Sequence, residues 1–162
     1  MLITLKNKDT LIVGSFTFKC CIGKNGVKTK KFEGDLSTPK GLFSLGKIYY
    51  RSDRVKKPNT RLSSKKITKN IGWCNDVKSK FYNSEIKIDK KIKHEKLFKK
   101  SKIYDYFIVI KHNAKKIPYK GSAIFLHLTN TYKPTAGCIA LKKKDFLIFI
   151  KIINRKTKIK IN

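Results

Sequence analysis

The chain has 162 residues, with 40 Lys plus Arg against 10 Asp plus Glu and a formal charge of +30. At this length a single domain over 1–162 is expected, and no apolar run approaches the ~18 residues a membrane-spanning helix needs. Apolar residues at 40% and charged residues at 31% suit a chain that closes one core and exclude a disordered tail.

Taken in chain order, the first half reads as strands and turns. Leu2–Leu5 and Thr10–Val13 flank Asn7-Lys8-Asp9 as a hairpin, and Phe16–Ile22 is a third apolar run. Asn25-Gly26 suits a tight turn with positive φ. The turn-rich stretch Gly34–Gly41 opens into Leu42–Tyr50, where large apolar residues recur at strand-like intervals. Residues 51–102 are different: Lys-dense, without clean periodicity, and read as a loop-rich basic excursion with a helical turn near His94–Lys100. Loops of this length are usually functional or disordered. Core patterning resumes at Tyr106–Ile110, Ser122–Leu128 and Ile139–Leu141. Lys142–Ile153 then places apolar residues at 146, 149, 150 and 153, the spacing of an amphipathic helix, with Asp145 in its first turn. Thr157–Ile161 alternates as a closing strand. The expectation is a mainly β fold, a sandwich or barrel with one helix.

Only four of the basic residues are Arg (Arg51, Arg54, Arg61, Arg155). Two explanations of the Lys excess stand together: the codon bias of an AT-rich genome, and attraction to a polyanion. Base-specific readers depend on Arg for bidentate contacts, and zinc-finger spacing, heptads and RNA-binding aromatic signatures are missing. Nucleic acid is therefore not the expected partner. The four cysteines, Cys20, Cys21, Cys74 and Cys138, form no C-x-x-C pair, which argues against a zinc ribbon or a thioredoxin-type site. Cys20 and Cys21 are adjacent and point to opposite faces of a strand, as buried small hydrophobes would. His94-Glu95 begins like H-E-x-x-H, but position 98 is Phe98, so that zinc motif fails. No metal or cofactor is implied. The N-terminus lacks the basic start, apolar stretch and cleavage site of a secretion leader.

The chemistry concentrates in Ser122–Leu141. His127 sits near a strand end, and after a loop turned by Pro134 the block Thr135-Ala136-Gly137-Cys138 opens the next strand. A strand–loop–strand return can bring imidazole and thiol to one rim, where the imidazole takes the thiol proton and the thiolate attacks a carbonyl. A His partner can depress a Cys pKa from ~8.5 into the range ~3.5–7.5. Gly137, having no Cβ, would let an acyl substrate approach the backbone, with the N–H groups of 136–138 as an oxyanion hole. Taken singly, His127 reads as a core histidine and Cys138 as an inert buried thiol; taken as a set, they favour catalysis.

These residues resemble the L,D-transpeptidase catalytic-domain family of bacterial cell-wall enzymes. The family's strand-end His and [Ser/Thr]-x-Gly-Cys block are matched by His127 and Thr135-Ala136-Gly137-Cys138. Its G-D-x-x-T-P-x-G-x-F stretch is matched by Gly34-Asp35-Leu36-Ser37-Thr38-Pro39-Lys40-Gly41-Leu42-Phe43. Gly72-Trp73-Cys74-Asn75-Asp76, Tyr82-Asn83, His94-Glu95 and Tyr104-Asp105 follow in the family's order, so the resemblance spans nearly the whole chain. It implies that Cys138 attacks the carbonyl joining the third stem-peptide residue of peptidoglycan to a terminal D-amino acid. His127 would be the base, oriented by the Leu128 carbonyl, and the thioester would pass to an amine or to water. Thr135, Ala136 and Gly137 would support the backbone of the site. Asp76, Glu95 and Asp105 would make structural hydrogen bonds. Trp73, Tyr82, His94 and Tyr132 are candidate substrate-binding residues.

Three positions depart from the family pattern: Ala136 where His is frequent, Ala140 where Arg or Asn is frequent, and Leu128 where Gly or Ser is usual. The lost Arg directs attention to Arg51, Arg54 and Lys133 as carboxylate-binding substitutes. The family implies a periplasmic or wall location and peptidoglycan stems as partners; the absence of a visible leader keeps a cytoplasmic location open, and the basic charge adds anionic wall polymer as a further candidate partner. An L,D-carboxypeptidase or amidase would use the same Cys and His. A non-catalytic basic module binding wall polymer or nucleic acid is the alternative of another class.

Overall fold

A computed structural model describes residues 1–29 and 32–162. The first seven strands are β1 Leu2–Lys6, β2 Thr10–Val13, β3 Phe16–Cys21, β4 Val27–Lys28, β5 Thr38–Pro39, β6 Gly41–Tyr50 and β7 Ser64–Lys66. They are followed by β8 Ile71–Cys74, β9 Glu85–Lys87, β10 His94–Lys96, β11 Tyr106–Ile110, β12 Phe125–Leu128, β13 Ile139–Leu141 and β14 Lys158–Ile161. A 3₁₀ turn covers Lys102–Tyr104, and the helix α1 covers Lys143–Ile152.

The main sheet has nine strands in the order β11-β12-β13-β3-β2-β1-β14-β6-β7, and β6 also pairs with β11, so the sheet closes on itself as a barrel. Alternation drives the closure. In β1, Ile3 and Leu5 point inward, and in β14 Ile159 and Ile161 do so from the parallel neighbour. The interior also takes Leu11, Ile48, Ile108, Leu126 and Ile139. Helix α1 packs Phe146, Phe149 and Ile150 against this core, all on one face at helical spacing. Each such buried side chain contributes about 1.5–3 kcal/mol relative to exposure. The amphipathic helix and the mainly β barrel are as the sequence predicts.

A second, smaller core lies on the opposite face of β11 and β12: Tyr49, Ile67, Trp73, Leu97, Tyr104, Phe107, Phe125 and Cys138. A three-stranded sheet in the order β10-β8-β9 accompanies it, with Trp73 of β8 edge-on to Phe125 at 5.2 Å. This sheet places three short strands within 51–102, most of which is otherwise turns and irregular chain, as the loop-rich reading expects. The helical turn predicted near His94–Lys100 is absent: His94–Lys96 pair antiparallel with Gly72–Cys74, and the helical turn falls later, at Lys102–Tyr104. Tertiary pairing overrides local propensity here. The strand predicted from Ser122 begins instead at Phe125, because Ala123 has φ +53° and gives its polar groups to side chains rather than to a ladder.

Candidate active site

Strands β12 and β13 run parallel, with Leu126 opposite Ile139 and His127 opposite Ala140. Extending that register one step places Cys138 beside Phe125, and the Phe125 N–H donates to Cys138 Sγ at 3.3 Å. Leu126 and Leu128 face the barrel core, so alternation turns Phe125, His127 and Cys138 to the other face. His127 and Cys138 line the same cleft, of about 450 Å³, together with Thr135, Ala136, Leu128 and Tyr104.

The His127 ring is fixed by two contacts. Tyr104 meets it edge-on at 5.4 Å, and Nδ1 lies 2.8 Å from the Leu128 carbonyl. A carbonyl only accepts, so Nδ1 carries the proton and Nε2 keeps its lone pair. Burial holds the imidazole pKa below the ordinary value, and the charge of Lys99 acts in the same direction, against the opposing influence of the Leu128 carbonyl and Glu95. The ring is therefore neutral at pH 7. The resting thiol donates to the Ala123 carbonyl at 3.3 Å.

Two side chains hold the loops around the sulfur. Thr38, fully buried, accepts from Gly23 N–H at 2.8 Å and donates to the Gly137 carbonyl at 2.9 Å, so the Thr-Pro stretch is bolted to the Gly-Cys block. Thr135 Oγ1 donates to the Cys138 carbonyl at 2.6 Å and accepts from Gly137 N–H at 3.1 Å. Gly137 has φ +132°, and a Cβ there would stand 2.8 Å from the Ser37 carbonyl oxygen. A close approach that demands glycine here is thus that of the protein's own backbone. Of the three amides at 136–138, that of Gly137 is turned back onto Thr135.

The other predicted residues are dispersed. Lys133 lines the cleft. Trp73 and Tyr82 do not; the Trp73 indole N–H donates to Asn83 Oδ1 at 3.0 Å, and the Tyr82 hydroxyl donates to Glu33 and accepts from Gly121 N–H. His94 Nδ1 lies 2.7 Å from the Ile92 carbonyl. Tyr132 sits between the ammonium groups of Lys19 and Lys142, away from the cleft lining. Arg51 is buried, gripping Asp53 with two nitrogens and the Lys99 carbonyl with a third at 2.5 Å. Arg54 pairs with Asp105 and donates to the carbonyls of Lys99, Lys100 and Ser101. Both guanidiniums therefore brace the chain instead of facing the cleft as carboxylate binders.

Sequence reasoning gave Glu95 a structural hydrogen-bonding role without its partners, and it left out two further features. Glu95 Oε1 accepts from the Tyr104 hydroxyl at 2.6 Å and from Lys99 Nζ at 2.7 Å, forming one cleft wall. Asn83 Oδ1 accepts from Ala123 N–H at 3.2 Å as well as from Trp73, so it fixes the backbone whose carbonyl meets the thiol. Ala123 itself is left-handed. Only the order of the Tyr82-Asn83, His94-Glu95 and Tyr104-Asp105 motifs hinted at these parts.

A closed β barrel with a thiol and a proton-accepting imidazole on one cleft has the makings of a cysteine acyl-transfer domain. The family model of the L,D-transpeptidase catalytic domain, YkuD, matches residues 2–161, and the chain belongs to that family, whose substrates are in peptidoglycan. Searches of curated proteins and of solved structures returned no match. Among the described residues no helix is long and apolar enough to cross a membrane, and no group of three or more His, Cys, Asp or Glu is placed to hold a metal ion.

Proposed function

We propose that the chain is a cysteine L,D-transpeptidase that works through a thioester on Cys138. The His127 Nε2 lone pair takes the thiol proton, and the thiolate adds to the carbonyl that joins the third stem residue to the terminal D-amino acid. The tetrahedral oxyanion is held by the main-chain amides of Ala136 and Cys138, that of Gly137 being taken by Thr135 Oγ1, a contribution of about 2.7–4 kcal/mol per donor. Collapse breaks the C–N bond; the imidazolium returns its proton to the departing amine and leaves the thioester. A second stem's amine then attacks, His127 takes its proton, and the thiolate is expelled as the cross-link forms. Water in place of that amine trims the stem. The Phe125 N–H supports the sulfur while it is anionic.

The observation that carries this reading is the Nδ1 contact with the Leu128 carbonyl, which leaves Nε2 as a base without any carboxylate partner. Intact-mass analysis after incubation with a carbapenem tests it, since members of this family tend to form a stable thioester with that drug. A single adduct mapping to Cys138, absent from Cys138→Ala, is expected. An adduct on another cysteine, or none, refutes the assignment.

A further inference from the structure

The cleft's cationic lining is small in spite of the chain's charge: among the described residues it comprises Lys99 and Lys133. They differ in how they are held. Lys133 is exposed on the loop before Pro134. Lys99 is partly buried, with its side chain 30% exposed. Its ammonium lies 2.7 Å from Glu95 Oε1 and 4.3 Å from the centre of the Tyr104 ring. That ring also packs against His127, so Lys99, Tyr104 and the imidazole form one continuous wall. The main chain of Lys99 is equally fixed, because Arg51 and Arg54 both donate to its carbonyl.

We propose that Lys99 is the carboxylate anchor of the cleft, binding the α-carboxylate of the donor's terminal D-amino acid. This rests on the proposed L,D-transpeptidase reading, in which the leaving residue carries that carboxylate. Three observations point to Lys99. Ala140, which stands where the family frequently has Arg, offers no polar group and is fully buried. Arg51 and Arg54 are committed to Asp53, Asp105 and backbone carbonyls. Lys99 has three ammonium N–H groups, of which one reaches Glu95, leaving donors for a ligand carboxylate on the cleft side. The charge is close enough to influence His127, as an anchor placed beside the scissile bond must be. Glu95 sets the ammonium's position, and the Arg51–Arg54 brace sets where the side chain starts.

The test uses titration calorimetry on Cys138→Ala protein, so that binding is read without turnover. The probes are one stem tetrapeptide with a free C-terminal carboxylate and its C-terminal carboxamide. The expected result is that the carboxylate peptide binds at least tenfold more tightly than the amide. Lys99→Met in the same background should remove that preference, and Lys99→Arg should restore most of it. Lys133→Met should leave it in place. Equal binding of the two peptides to the Lys99-containing protein overturns the proposal, as does a preference that survives Lys99→Met or is lost with Lys133→Met. Far-ultraviolet circular dichroism of each variant separates misfolding from loss of the anchor. The carbapenem adduct judges the nucleophile independently, so failure of the anchor and failure of the enzymatic reading give different results.

Discussion

Replacing Thr38 with Val keeps the shape of the side chain and deletes its hydroxyl. In the native protein that hydroxyl is fully buried, accepts from Gly23 N–H and donates to the carbonyl of Gly137, 99 positions further along the chain. The variant leaves one buried N–H and one buried C=O without this partner, and each unsatisfied group costs roughly 1–3 kcal/mol. The added methyl returns about 0.8 kcal/mol through burial, so a net loss of about 1–5 kcal/mol follows. For a chain of this size that lowers the melting temperature by roughly 2–20 °C, at about 2–4 °C per kcal/mol. Urea unfolding should show the midpoint falling with an unchanged slope. Thr38→Ser keeps both hydrogen bonds and loses one methyl, so it should cost about 1 kcal/mol. Because Gly137 precedes the nucleophile, Thr38→Val should also slow carbapenem acylation of Cys138 well beyond the effect of Thr38→Ser. If Thr38→Val stays within about 0.5 kcal/mol of wild type, or Thr38→Ser is equally damaging, the reasoning fails.

Asn83→Ala removes the acceptor shared by Trp73 and Ala123 and places alanine at φ +54°; a loss of roughly 3 kcal/mol is expected by urea unfolding, with Asn83→Gly the milder variant because glycine adopts that φ freely. His127→Gln should lower carbapenem acylation about 10²–10⁴-fold, the usual contribution of general acid–base catalysis, in stopped-flow or mass-resolved kinetics. The folded protein holds His127 below its unfolded pKa, so the unfolded chain binds more protons as the pH falls below about 6.5. Stability should therefore decline from above that pH downward, and His127→Gln should flatten that part of the melting profile; an unchanged slope would count against burial of a neutral imidazole.

The barrel was legible because its strands and helix carry clean patterns: Ile3 and Leu5, Ile159 and Ile161, and Phe146, Phe149 and Ile150 each repeat at the right period. Glu85–Lys87 and His94–Lys96 are three-residue strands; two positions of the first and all three of the second are charged or titratable. Their period cannot be read at that length, and they form only because Ile71–Cys74 lies between them. The site divides in the same way. Cys138 and His127 stand in a compact motif within 11 positions of each other. The wall of Glu95, Lys99 and Tyr104 arises from tertiary contacts that no local spacing encodes. The two Arg side chains illustrate the limit best: residue type marked them as anion binders, whereas packing directs them to carbonyls of their own chain.

The pairing of β1 with β14 has a consequence for biosynthesis. The first strand finds its parallel neighbour only at Lys158–Ile161, so the ring stays open until those residues have left the ribosome. Until then β1 and the Gly41–Ser44 portion of β6, which flank the missing strand, present bare amide edges to other nascent chains. The dense lysine coat, whatever else it attracts, keeps such half-made copies apart by mutual repulsion.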